Sequence, residues 1–323
     1  MIIFRTDEIP GHDRGTLSRT SYLALMLRKQ ISVCILVDKK TEFAPGLIRK
    51  NVSVKTLDTL DKSDNKELKS VVFDVNEFSQ DDQELLKWAK EKNLQTVQFT
   101  DLGLNSQAMN FFIDPSLEMI RPYPRNTNGL LGPQYAVLHT KFRHFNRARR
   151  KIRKQLKNVF LYPGKNMTYR QLRNLVDELI RHGFNVKANP GPVLRKSQKK
   201  ILKRIYPQIK FVGKADNLAR SFYESDVTLI QAGAAAYEAA ACGTPALYFC
   251  SSPHEEFIAG TFEKNNIGIK ADYSPDQADN RIGEQIKSLN FRQRETMTTR
   301  GRETVDALGI FRIIDFFREN NII

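Results

Sequence analysis

The chain has 323 residues, enough for two domains, and its 41% hydrophobic content supports packed cores without any low-complexity tract. A net charge of +15 calls for an anionic partner and leaves nucleic acid, anionic lipid and nucleotide phosphate open. The longest apolar stretch, Ala232 to Cys250, contains Glu238, Gly243 and Pro245 and is excluded as a membrane span.

The first apolar run, Met1 to Phe4, is strand-sized and ends in Arg5 and Asp7, so no secretory signal is expected. Strands are predicted at Ile2–Arg5, Ile31–Val37, Val52–Thr56, Val71–Val75, Thr96–Thr100 and Phe111–Asp114, with helices over Thr16–Gln30 and Asp81–Lys92 between them. Short β-branched runs separated by helices predict parallel strands with crossover helices. A basic stretch then interrupts the pattern. Lys141 to Lys157, "KFRHFNRARRKIRKQLK", carries nine Lys and Arg, and Arg195 to Arg204, "RKSQKKILKR", is a second cluster. Each reads either as a solvated helix face or as an anion-facing surface.

The alternation restarts with a strand at Val159–Tyr162, the loop "PGKNMT", and a helix over Tyr169–His182. Further strands are predicted at Val186–Ala188, Lys210–Val212, Val227–Ile230 and Ala246–Phe249. Helices are predicted over Ser197–Ile205, Asn217–Ser225 and Ala235–Cys242. A last helix, about Gly309 to Glu319, is a candidate to pack back on the first half. The expectation is an α/β protein of two Rossmann-like domains, residues 1–150 and 151–323, facing each other across a cleft. Cys34, Cys242 and Cys250 lie in apolar runs without metal-ligand spacing. They read as reduced, buried thiols of a cytoplasmic protein, and no metal or cofactor is expected.

The best candidate site is "DVTLIQAGAAAYEAAACGTPALYF", residues 226–249. A buried strand runs into Gly233, Ala234 and Ala235, and a helix follows. Small residues at such a turn let a diphosphate approach the backbone, where the helix N-terminus offers unpaired N–H groups and a positive dipole end. Glu238, near the start of that helix, either accepts both hydroxyls of a ribose or complements the helix dipole.

This stretch resembles the sugar-nucleotide site of GT-B proteins. It is most similar to the UDP-sugar hydrolases of pseudaminic acid biosynthesis (PseG), with the lipid II glycosyltransferase MurG more distant. The PseG-like segment reads as a Gly-Gly-Ser-Thr turn, two residues, then Glu. Gly233, Ala234, Ala235, Ala236 and Glu238 match in position, with Ala replacing the second Gly and both hydroxyls. "GKADNLARSFYESDVTL" from Gly213, "GPQYAVLHTKFR" from Gly132, "DALGIFR" from Asp306, "VVFDV" and "VQFTDL" resemble further family segments in the same order. The resemblance implies a GT-B-like fold and a UDP-sugar substrate, with Tyr135 and Asn217 among the binding residues. The loop after the first strand of the second domain is Gly-Gly-Ser in the family and Tyr162-Pro163-Gly164-Lys165 here. Gly164 keeps the turn, and Lys165 either meets a phosphate as a point charge or is a solvated loop lysine. His254-Glu255-Glu256 stands where the family has Asn-Gln, so Glu256 either contacts sugar hydroxyls or forms a surface acidic turn.

The family's first loop runs from an Arg-x-Asp strand end to Gly-His-x-x-Arg. Arg5-Thr6-Asp7 matches the strand end and Arg19 the arginine, which sets Gly15 on the family Gly and Thr16 on its catalytic His. A threonine hydroxyl cannot take a proton from water unaided as imidazole can. Thr16 suits a helix N-cap. His12 is either a loop hydrogen-bonder or the replacement base, with Asp13 a weaker candidate. Four functions follow: PseG-type hydrolysis, GT-B glycosyl transfer, sugar-nucleotide binding without catalysis, and nucleic-acid binding. The last rests on charge alone and has no recognised motif. For a transferase, the basic stretch suits an anionic or membrane-associated acceptor at the inner face of the membrane.

Overall fold

A computed structural model of the chain describes residues 1–7, 15–38, 52–60, 67–75, 77–103, 108–124, 126–164, 167–191, 194–212, 218–273 and 281–323, without the side chains of 15–18. Two compact units emerge. The first joins Met1–Leu138 to Leu308–Ile323, and the second is His139–Ala307.

The elements of the first unit are β1 (Ile2–Thr6), α1 (Gly15–Leu27), β2 (Val33–Val37), β3 (Ser53–Thr56), β4 (Ser70–Asp74), α2 (Gln80–Glu91), β5 (Gln95–Phe99), β6 (Phe111–Asp114) and β7 (Gly129–Leu131). In the second unit follow α3 (Lys141–Arg147), β8 (Asn158–Tyr162), α4 (Tyr169–Arg181), β9 (Asn185–Ala188), α5 (Lys196–Ile205), β10 (Lys210–Phe211), α6 (Leu218–Glu224), β11 (Val227–Gln231), α7 (Ala234–Cys242), β12 (Ala246–Phe249), α8 (Pro253–Lys264), β13 (Gly268–Lys270), α9 (Ile282–Ser288) and α10 (Phe291–Thr304). The last helix, α11 (Gly309–Glu319), returns to the first unit.

The first sheet has the order β3-β2-β1-β4-β5-β6-β7 and every adjacent pair is parallel. A parallel sheet is covered on both faces, which is why β1 reads Ile-Ile-Phe without polar alternation. Alternate side chains of β1 serve different cores. Ile2 and Phe4 join Leu23, Ala24 and Leu27 of α1 and Ile310, Ile313, Ile314 and Phe317 of α11. Ile3 packs with Phe73, Leu85, Trp88 and Ala89, under α2. The four α11 residues recur at i, i+3, i+4 and i+7, one helical stripe, and that stripe brings the chain end back to the first unit.

The second sheet has the order β10-β9-β8-β11-β12-β13, again all parallel. Numbered within its own unit, that is 3-2-1-4-5-6, the doubly wound order, and the first sheet repeats it with one further strand. In each, the strand order reverses between the first and fourth strands, here β1/β4 and β8/β11. Loops beyond the carboxyl ends at these reversals are where such sheets bind ligands.

Two readings from the sequence change. The division between units falls at 138/139 and not near 150, because α3 packs on α6 and α7. The basic stretch is not one solvated helix. α3 ends at Arg147, and the following segment is a strap tied to the second unit. Arg150 donates to the carbonyls of Tyr223 (2.6 Å) and Ser225. Arg153 pairs with Asp226 at 2.7 Å. Arg294 of α10 donates to the Arg153 and Lys154 carbonyls, and Arg302 to those of Phe145 and Ala148. Arg150 and Arg153 of the stretch are thus engaged within the second unit, and Arg294 and Arg302 of α10 satisfy its backbone oxygens.

Candidate functional site

In the second unit the reversal is flanked by the loop after β8 and the turn from β11 into α7. Gly233 forms that turn with φ 149° and ψ −142°, a conformation open essentially to glycine. It stands at the N-cap of α7 and no side chain caps the helix. The Ala236 N–H bonds the Gly233 carbonyl at 2.9 Å. Ala234 is exposed and Ala235 buried, so the first turn presents backbone rather than side chains. α7 is nearly all alanine, which lets α10 come close: a Cβ on Gly301 would lie 3.0 Å from the Ala240 carbonyl oxygen. Gly243, at φ 64°, ends the helix in the left-handed conformation.

Gly164, in the loop after β8, has φ 73°, and a Cβ there would overlap Gln231 Oε1 at the end of β11. The other end of that amide meets Glu255. Gln231 Nε2 donates to Glu255 Oε1 at 2.6 Å and to Ser251 Oγ at 3.1 Å. The Ser251 N–H and hydroxyl donate to Glu255 Oε2 at 2.6 and 2.8 Å. Loops after β8, β11 and β12 are thus bound together beyond the carboxyl ends of three adjacent strands. The sequence offers a signal for Gln231 and Glu255 only in hindsight of the boundaries: a polar residue closing a buried strand, and an acid in the first turn after Ser252-Pro253.

Glu256 is exposed and pairs with Lys270 Nζ at 2.8 Å. Hydrogen bonding to Glu256 raises the Lys270 ammonium above its usual value. Glu238 lies one full turn inside α7, half-buried, so no acid occupies the first turn. Lys165 and Asn217 lie outside the described residues.

In the first unit, Gly15 and Thr16 are the first two residues of α1, so Thr16 sits inside the first turn and not at the cap. His12 and Asp13 lie outside the described residues. Arg19 is taken up by Asp74 at the end of β4. Its Nε lies 3.0 Å from both carboxylate oxygens, the Thr20 hydroxyl donates to Asp74 Oδ2 at 2.9 Å, and the guanidinium lies 4.8 Å from the Phe99 ring centroid. Burial opposes the Arg19 charge, but Asp74, then Asp101 and Asp114, outweigh it and hold the guanidinium above its usual value. The Arg-x-Asp strand end is equally committed. Arg5, 1% exposed, pairs with Asp82, Asp38 and Asp7. Tyr135 closes a short 3-10 turn, Pro133–Tyr135, against which Gly309 opens α11 without room for a Cβ.

Burial, then the neighbouring Glu256 and Glu255, push the Cys250 thiol up to about 12, and burial raises Cys34 and Cys242 as well. Among the described residues no group of His, Cys, Asp and Glu is arranged to hold a metal. Among them, too, no helix is long and apolar enough to cross a membrane.

Two doubly wound parallel-sheet units with the last helix returned to the first are the architecture of GT-B glycosyltransferases. The chain superposes on MurG of Acinetobacter baumannii with a TM-score of 0.68, over 98% of this chain and 99% of that one, at 11% identity. The calicheamicin glycosyltransferase CalG4 gives 0.68 over 98% and 97% at 13% identity. Phytolacca americana UGT2, solved with UDP-2fluoro-glucose and pterostilbene, gives 0.66 over 94% and 93% at 13% identity. No family model and no curated protein sequence matches the chain. At these identities the likeness defines the fold, which is GT-B.

Proposed function

We propose that the protein is a nucleotide-sugar-dependent enzyme that breaks the bond between the anomeric carbon of a UDP-sugar and UDP. The observation that carries this is the uncapped N-terminus of α7 behind Gly233, at the strand-order reversal of the second unit. Its backbone N–H groups and dipole suit the diphosphate that leaves. Glu238 accepts the ribose hydroxyls, and Gly164, Gln231 and Glu255 border the diphosphate. The resemblance to PseG supports UDP as the nucleotide, and UGT2 and a Siraitia grosvenorii transferase were solved with UDP or a UDP-sugar.

The acceptor is a hydroxyl rather than water in the reading we favour. Thr16 stands where the resemblance sets the water-activating histidine, and Arg19 is occupied by Asp74. PseG-type hydrolysis is the second reading, supported by the run of family-like segments along the chain. Calorimetry with UDP tests the shared part: binding is expected, weakened roughly ten- to a hundredfold in Glu238→Ala, the cost of about one charge-assisted hydrogen bond. Failure of UDP and UDP-sugars to bind overturns it. Equal affinity of wild type and variant removes Glu238 from the site.

A further inference from the structure

Helix α5 lies on the surface of the second unit and buries a single residue, Leu202. Its ten residues carry Lys196, Lys199, Lys200, Lys203 and Arg204 and no acid. Among the described residues four large apolar side chains are strongly exposed, and two of them are Ile201 (48%) and Ile205 (45%) of this helix. Four residues apart, they form one apolar row along the exposed surface, with Lys200 and Arg204 preceding each by one position. Tyr206 ends the helix with its hydroxyl 2.8 Å from Asp177 Oδ1. It lines an open cavity of about 410 Å³ together with exposed Arg170 and Arg173 of α4, which extend the positive surface.

An exposed cationic face alone is what solubility and general anion attraction ask for. Leaving two isoleucines in water beside it is not, since each would gain by removal from water. A short helix with an apolar row flanked by lysines and an arginine has the chemistry of a headgroup interface, where apolar side chains enter the acyl boundary and cations meet lipid phosphates. A nucleic-acid surface calls for stacking aromatics or base-reading side chains, and the α5 row is aliphatic. We propose that α5 docks the protein on an anionic lipid surface. Ile201 and Ile205 enter the headgroup region, and Lys200 and Arg204, on the flank of that row, face the phosphates. The surface is therefore α5 and not the strap at 148–157, where Arg150 and Arg153 are engaged by backbone carbonyls and Asp226 and no apolar row accompanies the exposed cations.

The test is sedimentation of the full chain with vesicles of phosphatidylcholine alone and of equal parts phosphatidylcholine and phosphatidylglycerol. Binding is expected only to the anionic vesicles, weakening as salt rises. Lys200→Gln/Arg204→Gln should reduce it roughly twenty-five-fold, at about fivefold per cation. Ile201→Ser/Ile205→Ser should reduce it at least about tenfold with the charge intact. Arg149→Gln/Lys151→Gln, two exposed cations of the strap, should leave it unchanged. All these positions are exposed, so melting temperatures should stay close to wild type, and a fold check by circular dichroism accompanies each variant. No binding to anionic vesicles overturns the proposal, as does binding that survives both α5 variants. Loss in the strap variant alone moves the surface elsewhere. Binding of a poly-uridylate oligonucleotide that Ile201→Ser/Ile205→Ser leaves intact, with no vesicle binding, makes α5 a nucleic-acid surface instead.

Discussion

Gly164 and Gln231 occupy adjoining space at the strand-order reversal of the second unit: only the absence of a side chain on Gly164 leaves room for the Gln231 amide. Gly164 also holds φ 73°, so alanine there is penalised twice. The backbone part alone is worth about 1–2 kcal/mol. Gly164→Ala should lower the unfolding free energy, measured by chemical denaturation, by at least that much. In a Gln231→Ala background the same substitution should cost less, since the overlap is gone. Equal costs in both backgrounds would show that the two residues do not meet.

Asp74 and Arg19 make the corresponding junction in the first unit. Asp74 is fully buried, and two groups besides the Arg19 Nε, the Thr20 hydroxyl and Arg19 Nη2, bond it. Asp74→Ala leaves the largely buried Arg19 guanidinium without its bonded carboxylate, and breaking a buried pair from one side costs about 3–5 kcal/mol. Arg19→Met with Asp74→Leu should recover much of that loss. Chemical denaturation of the two singles and the double measures the coupling. If Arg19 instead serves substrate, Arg19→Met would keep stability and lose activity.

Glu178 gives the stability a pH dependence. It is 7% exposed and accepts the Gly283 N–H at 2.8 Å at the start of α9. Burial raises its carboxyl above the ordinary 4.5, against the pull of that N–H, of His182 and of Arg181. The folded state therefore holds this proton more tightly than the unfolded chain. The associated stability is complete below about 4.5 and is lost as pH rises through the raised value. Glu178→Gln, which keeps the acceptor, should flatten that part of the profile when melting is followed across mildly acidic pH. A profile unchanged by the substitution would assign the dependence to other groups.

What the sequence discloses follows from where side chains are buried. Ile2, Ile3 and Phe4 mark a strand because both faces of the sheet are covered, and α11 is legible to the residue because Ile310, Ile313, Ile314 and Phe317 keep one stripe. β7 is hidden: Gly129–Leu131 is short, half-buried and looks like a turn. α10 is hidden because its buried side is Arg294, Met297, Thr298 and Gly301, which has no hydrophobic period. Gly233 and the alanines after it are legible as a tight strand–helix turn, since only small residues permit one. Glu255 and Glu256 are indistinguishable until α8 begins at Pro253, because the first helical residue decides which carboxylate turns toward Gln231. The strap arginines read as a solvated face because their partners are backbone carbonyls, which no residue type announces.

The last expectation concerns Thr16. Its hydroxyl has no means of taking a proton from water near neutral pH, and general base catalysis contributes about a hundred- to ten-thousandfold. With a hydroxyl acceptor as the true partner, UDP release from a UDP-sugar should be slow in buffer and rise when the acceptor is supplied. Thr16→His lies in the first turn of α1, where helix propensity tolerates it. It should raise release in buffer without changing UDP affinity. His12→Ala should leave acceptor-dependent release intact unless that imidazole is the base. Release is followed for all three proteins with and without candidate acceptors. Fast release by wild type in buffer, abolished by His12→Ala, would establish hydrolysis with His12 as base. Fast release in buffer by wild type and His12→Ala alike would show that the base lies elsewhere and that water, not a hydroxyl, is the acceptor.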